Sequence, residues 1–299
     1  MYTITLSGGI TRQLPSSWHE LTPGQIRFIV RTHHHCVAHR LSPLHFNIRV
    51  LFHLLGVRHD WRSLLWERLN PERVADRNAN IYMLCQQCLP WLFIDDDHAQ
   101  LSFTALTNAL PTVRPRPLSR KWRGPADALT DISFGDFRRA ANAMASFFRS
   151  QDVDDLHECI VYLYRPASRR ITRSGRHVRP VNPATIERDK RTIARLPQWQ
   201  KSLILLWFSS CVRFIQSATD LRIDGDTVDM TRLFSSDTAT SGGKELSSTW
   251  NDLLIEIARE QSIGPMTVVD EEPLYSVFLI MWHNYKQSKR YENTTATHH

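Results

Sequence analysis

The chain has 299 residues, 42% of them hydrophobic and 22% charged, with 37 Lys and Arg against 30 Asp and Glu and a formal net charge of +7. Nine tryptophans and 13 phenylalanines supply the apolar bulk of folded cores, which excludes a disordered chain and leaves room for one large or two ordinary domains. Five cysteines without small-scaffold spacing exclude a disulfide framework and predict reduced thiols.

The first 14 residues alternate, with Tyr2, Ile4 and Leu6 on one face, Gly8-Gly9 as a turn and a returning strand to Leu14, so a small β-hairpin is expected at the N-terminus. No basic leader or cleavage motif precedes it, which predicts a cytosolic product. Thr22 with Pro23 and Gln25 then reads as a capped helix start. Ile26, Ile29, Val30, His33 and Val37 follow at helical spacing. A second helix is bounded by Ser42-Pro43 and Gly56, with Leu44, Ile48, Leu51 and Leu55 as its stripe, and should fold back on the first. A third helix is expected over 80–88, and a second hairpin over about 91–103 around Asp95-Asp96-Asp97.

Residues 111–124 read as a basic linker, in which Arg114, Arg116, Arg120, Lys121 and Arg123 occur with three prolines and no acid. Beyond it the Leu21-Thr22 opening recurs as Leu129-Thr130, followed by a helix with the stripe Phe134, Phe137, Ala141, Met144 and Phe148. Asp152 caps the next helix, which carries Leu156, Ile160 and Leu163. A second arginine-rich loop is expected over 165–192, with Arg165, Arg169, Arg170, Arg173, Arg176 and Arg179. Removing these 11 basic residues from the 37 leaves 26 against 30 acidic ones, so the excess positive charge is confined to two segments.

Pro197 opens a helix apolar nearly all round, through Leu203, Leu206, Trp207 and Phe214, expected as the core of the C-terminal half. Arg213 interrupts its apolar run well short of the roughly 20 residues a membrane span needs. A third hairpin is expected over about 221–228 around Asp224-Gly225, a mobile loop over 233–248, a helix over 250–264 and a last helix from Pro273 with a frayed tail from Arg290. The fold class is therefore mainly α, built of helical hairpins with a few small β-hairpins. An N-terminal domain (1–110) and a C-terminal domain (125–299) would be joined by the 111–124 linker.

The residues that suggest chemistry also have plainer readings. His33-His34-His35-Cys36, His39 and Cys85-x-x-Cys88 carry zinc-ligand types. Successive helical residues turn by about 100°, so three adjacent histidines cannot converge on one ion and only His35 and His39 share a face. Cys85 and Cys88 fall on the same stripe as Ile81 and Leu84, as small core residues do. His157 and Cys159 point to different helix faces, which disfavours a nucleophile and base pair. Ser241-Gly242-Gly243-Lys244 lacks the first glycine of a phosphate loop and has Glu245 where the metal-binding hydroxyl belongs. Asp95 to Asp97 and Asp224 to Asp226 lack the rest of a calcium loop and suit turns. No catalytic residue, metal site or cofactor is expected. Arg114, Arg116, Arg120, Arg169, Arg170, Arg173, Arg176 and Arg179 are the candidates for contact with a partner or with phosphate, read either as solvated connectors or as a phosphate-binding surface.

The string Leu14-Pro15-Ser16-Ser17-Trp18-His19-Glu20-Leu21-Thr22-Pro23-Gly24-Gln25 resembles the opening of a family of proteins from Bacteroidetes phages and prophages. The resemblance continues through Arg123-Gly124-Pro125-Ala126-Asp127-Ala128-Leu129, Phe134-Gly135-Asp136-Phe137, Leu163-Tyr164-Arg165-Pro166 and the helix over 250–264. Genes of that family sit in the structural module, among tail or neck genes near the tape-measure gene. The resemblance implies a non-enzymatic morphogenesis protein, either a tail-assembly chaperone or a virion component. Its partners would be tail-tube, tape-measure or connector proteins or further copies of itself, met in the host bacterial cytoplasm and not at a membrane. The alternative is a nucleic-acid-associated protein whose arginine loops contact phosphate.

Overall fold

The computed structural model describes residues 1–5, 11–57, 71–94, 100–234 and 265–296. The Gly8-Gly9 turn, the Asp95 to Asp97 turn, most of the expected loop over 233–248 and the helix over 250–264 lie outside the described residues. The structure is mainly helical, 58% helix, with small antiparallel strand pairs and one triple. Two compact units divide it, Met1–Ala109 with Gln198–Trp207 and Leu110–Pro197 with Phe208–His299.

In the first unit β1 (Tyr2–Thr5) pairs antiparallel with β2 (Thr11–Leu14), Tyr2 opposite Leu14. Helix α1 (Pro23–Val37) starts with the expected capping box, Thr22 and Gln25 each satisfying the other's backbone N–H. Helix α2 (Pro43–Leu55) starts at the Ser42 cap and stops at Gly56. Its buried face is turned from the expected stripe: Phe46, Val50 and Leu54 share it with Leu51 and Leu55, while Leu44 is exposed. Val37 is likewise exposed, because α1 ends there. Helix α3 (Pro71–Cys88) begins nine residues earlier than expected. At the expected 91–103 hairpin the described residues pair antiparallel at Phe93–Leu101, with the Ile94 N–H donating to the Gln100 carbonyl at 3.1 Å and the Ser102 N–H to that of Leu92 at 2.9 Å, and Pro90 starts a 3-10 turn through Leu92 just before. Trp18 centres this core, its ring 4.6 Å from Phe103 and 5.9 Å from Trp91.

The second unit is organised by α4 (Phe134–Ser150) and α5 (Val153–Leu163), which fold back on each other across Gln151-Asp152. Ser133, not Thr130, caps α4, and Ala128 and Leu129 take left-handed backbone angles, so the second Leu-Thr pair does not open its helix as the first does. Phe137 is fully buried, 6.0 Å from Phe208 and 6.4 Å from Phe278 in edge-to-face contacts. Its truncation to Ala would cost about 3–5 kcal/mol by the usual scale for buried aromatics. The basic stretch expected as a linker forms two strands of a three-stranded sheet, β3 (Thr112–Val113) and β4 (Trp122–Arg123), with β5 (Arg165–Pro166) beside β4. The expected loop over 165–192 likewise contains a helix, α6 (Ile186–Ile193).

Helix α7 (Gln198–Ser217) is buried along much of its length, but its first half belongs to the first unit, where Trp207 Nε1 donates to the Leu106 carbonyl at 2.8 Å. It is therefore not the core of the C-terminal half alone. Strands β6 (Leu221–Ile223) and β7 (Asp226–Val228) form the third expected hairpin. Asp224 and Gly225 both have positive φ, 49° and 91°, as a two-residue turn of primed type requires. Short helices α8 (Met230–Phe234) and α9 (Met266–Glu271) follow, and α10 (Leu274–Ala296) continues as helix past the expected fraying point.

Candidate functional site

The two arginine-rich segments meet in the three-stranded sheet. Val113 lies opposite Trp122, Trp122 opposite Pro166, and Arg123 opposite Arg165. Pairing continues beyond β5, where the Ala167 N–H donates to the Lys121 carbonyl at 3.0 Å, the Ser168 N–H to His177 at 2.9 Å and the Arg179 N–H to Pro166 at 3.0 Å. Residues 165–179 thus form a hairpin that lies beside the 112–123 hairpin.

The sheet divides the arginines into two classes. Arg165, on β5, is buried and donates to Asp136, a carboxylate in the first turn of α4 that is itself buried between Phe134 and Phe137. Position decides that pairing. Asp136 sits on the core face of its helix, where an ionised carboxylate needs a partner. Arg176 is buried as well and donates to the carbonyls of Leu163 at 2.7 Å and Arg123 at 3.1 Å. Burial, together with the neighbouring Arg165 charge, pulls its guanidinium down to about 10. Arg179 pairs with the buried Asp189 of α6, and Arg173 reaches Glu272 at 2.6 Å.

A strap over residues 265–274 completes this cluster. The Phe134 N–H donates to the Glu272 carbonyl at 2.8 Å and the Leu274 N–H to that of Ile132 at 2.9 Å. Asp270 receives Arg139 Nη2 at 2.6 Å and Arg138 Nη2 at 3.1 Å. Only glycine fits beneath it, because a Cβ on Gly135 would lie 2.7 Å from the Asp270 side chain and 2.8 Å from its backbone oxygen. The same logic holds at Gly124, whose missing Cβ leaves space for the Tyr164 ring, and the Tyr164 hydroxyl donates to the Leu110 carbonyl at 2.8 Å. A cleft of about 370 Å³ is left among Ser133, Asp136, Arg139, Arg165, Thr172 and Arg173. Guanidinium groups face carboxylates across it, so its electrostatics are those of charge pairs and not of one sign.

Arg114, Arg116, Arg120, Lys121, Arg169 and Arg170 make up the second class, and all are exposed. Of the eight arginines expected to contact a partner or phosphate, five therefore face solvent free of a carboxylate partner among the described residues: Arg114, Arg116, Arg120, Arg169 and Arg170. The other three, Arg173, Arg176 and Arg179, are engaged within the unit. Arg176 is buried, with its guanidinium committed to two carbonyls.

Comparison with protein-family models, with curated proteins and with solved structures finds no match for this chain.

The metal candidates do not converge. His35 lies on α1, but the helix ends at Val37 and His39 has φ of 54°, so the pair loses the shared helical face expected of it. Cys85 and Cys88 are buried core residues of α3, and burial pushes the Cys85 thiol up to about 11. Among the described residues no three His, Cys, Asp or Glu side chains are placed to hold a metal ion. Cys159 is fully enclosed, with burial and the neighbouring Glu158 charge raising its thiol far above the ordinary range. Among the described residues no helix is long and apolar enough to cross a membrane.

The carboxylates that organise this region, Asp136, Asp189, Asp270 and Glu272, were not singled out from sequence as partners of arginine. Asp136, one residue from Phe137 and two from Phe134, is turned off the expected stripe, and it is buried because the covered face of α4 extends over Ala140 and Ala143.

Proposed function

We propose that this chain is a non-enzymatic phage morphogenesis protein that works by contacts with other chains in tail or neck assembly. The observation that carries the reading is where the strings resembling the phage family fall. Gly124 and Tyr164 pack on each other, Asp136 and Arg165 pair, and Gly135 receives the strap at Asp270. Those strings supply the joints of a scaffold, and the ion pairs at the joints hold side chains to one another instead of leaving them poised for a reaction.

Two further features support docking to other chains. The β1–β2 and β6–β7 pairs are two-stranded sheets, whose edges can accept a strand from a partner. Tyr2, on β1, is exposed there. The test is to read the neighbouring genes for tail-tube, tape-measure or connector proteins and co-express the chain with them, followed by size-exclusion chromatography, with mass spectrometry of purified particles in parallel. Co-elution with one of these proteins, or presence in particles, is expected. Absence from both would overturn the reading.

A further inference from the structure

We propose that the end of the three-stranded sheet where the two arginine-rich loops emerge binds double-stranded nucleic acid through its phosphate backbone. This goes beyond the assembly reading and does not depend on it.

The strand register places the loops together. The 114–121 loop leaves β3 after Val113 and re-enters β4 at Trp122, and those two residues are paired. Pro166 is opposite Trp122, and Ala167 bonds to Lys121, so the chain leaving β5 runs out at that same end of the sheet. Neighbouring strands lie about 4.8 Å apart. Arg120 and Lys121, just before β4, and Arg169 and Arg170, just beyond β5, therefore leave the sheet side by side, with Arg114 and Arg116 on the same 114–121 loop. Segments 40 to 60 residues apart in sequence form one basic surface.

Its cations are available. All six side chains are exposed, and among the described residues none forms an ion pair. This sets them apart from Arg165, Arg173 and Arg179 of the same segments, each of which holds a carboxylate. Removing these six cations from the 37 basic residues leaves 31 against 30 acidic ones, so most of the net charge of +7 belongs to this end of the sheet.

Duplex backbone is the polyanion that fits this chemistry. It presents about one negative charge per 1.7 Å of axis, and arginine forks match phosphate geometry while releasing condensed counterions. Binding to single strands relies on aromatic stacking platforms, and the aromatic residue among these arginines, Trp122, is buried. Leu118, 98% exposed at the loop tip, and Ile171 are the apolar side chains of the surface, and neither offers a face for base stacking.

The test is fluorescence anisotropy of the full chain with a labelled mixed-sequence duplex of about two helical turns, titrated at several salt concentrations. Five or six phosphate contacts predict a slope of log affinity against log salt of about −5, a fall on the order of a thousandfold between about 50 and 200 mM salt. The R169A/R170A variant should reduce the slope by about 2, and R114A/R116A/R120A by about 3. R222A, an exposed arginine on β6 of the separate β6–β7 sheet, should leave it unchanged, and circular dichroism should show all variants folded. Salt-independent or absent binding, or equal binding by the folded variants, would overturn the proposal. So would tighter binding to the single strand, or displacement of the duplex by an equal charge of poly-glutamate, which would point to an acidic protein. Failure here leaves the particle and co-elution results untouched, so the two readings fail separately.

Discussion

Asp136→Ala tests the ion-paired interior most directly. The Asp136 and Arg165 side chains are only 7% and 5% exposed, so the substitution strands a guanidinium in the core of the second unit. Removing one partner of a buried pair costs about 3–5 kcal/mol, far above the roughly 0–1 kcal/mol of an exposed pair. Arg139, which approaches Asp136 at 4.0 Å, keeps Asp270 at 2.6 Å and compensates little. For a unit of about 180 residues each kcal/mol moves the melting temperature by about 2–4 °C, so a drop on the order of 10 °C is expected by differential scanning calorimetry. The double substitution Asp136→Leu with Arg165→Met removes both charges while keeping bulk, and should recover most of the loss. A shift below about 2 °C for the single variant would show that the pair behaves as a surface pair. A double variant as unstable as the single one would show that packing, not charge, holds this site.

Three other perturbations probe separate joints. Gly135→Ala should displace the strap, because its Cβ would sit 2.8 Å from the Asp270 backbone oxygen; we expect a loss of about 1–3 kcal/mol and faster hydrogen exchange at Phe134 and Leu274, and unchanged exchange there would contradict the close approach. His53 stacks on Phe28 with ring centres 3.8 Å apart, and burial lowers its pKa from the usual 6.5. The unfolded chain then binds more protons below that value, so the contribution of His53 is fully present above pH 6.5 and is lost as pH falls through the lower folded pKa; an NMR titration giving a His53 pKa at or above 6.5 would refute it. Burial pushes up all five thiols, but Cys85, Cys88, Cys159 and Cys211 are buried whereas Cys36 is partly exposed, so access separates them. Iodoacetamide at neutral pH should therefore label Cys36 first in the native protein, and equally rapid labelling of Cys159 would rule out the enclosed core around α5.

The helices were legible because their signals are local. Thr22, Ser42 and Asp152 each supply a side-chain cap, and the Asp224-Gly225 turn has the backbone angles its residues suggest. Faces were less secure than boundaries. Leu44 and Phe148 satisfy a helical period yet are exposed, because periodicity marks a stripe without saying how far the neighbouring element covers it. The two-residue strands were not legible at all. Thr112–Val113, Trp122–Arg123 and Arg165–Pro166 are too short for any alternation to register, and what makes them strands is their pairing, β4 with the nearby β3 and, across more than 40 residues, with β5.

That long-range pairing also decides what the arginines do. Composition alone treats 11 basic residues in two proline- and serine-rich stretches as equivalent, because spacing carries no trace of a carboxylate distant in sequence. The fold sorts them by position in the sheet. Arg165 and Arg176 face inward, toward Asp136 and toward the Leu163 and Arg123 carbonyls, while Arg179 reaches Asp189 of α6. Arg114, Arg116, Arg120, Lys121, Arg169 and Arg170 lie on turns or just outside strand ends, where no acidic partner is supplied among the described residues. A purely structural role would be satisfied by the inward group. Clustering six further cations at one sheet end sets like charges against one another, a repulsion relieved by screening salt or by a bound polyanion. Folding stability should therefore rise with added salt in the free protein and become less salt-dependent when duplex is bound. A salt-independent melting temperature in both states would show that the cations are too far apart to repel.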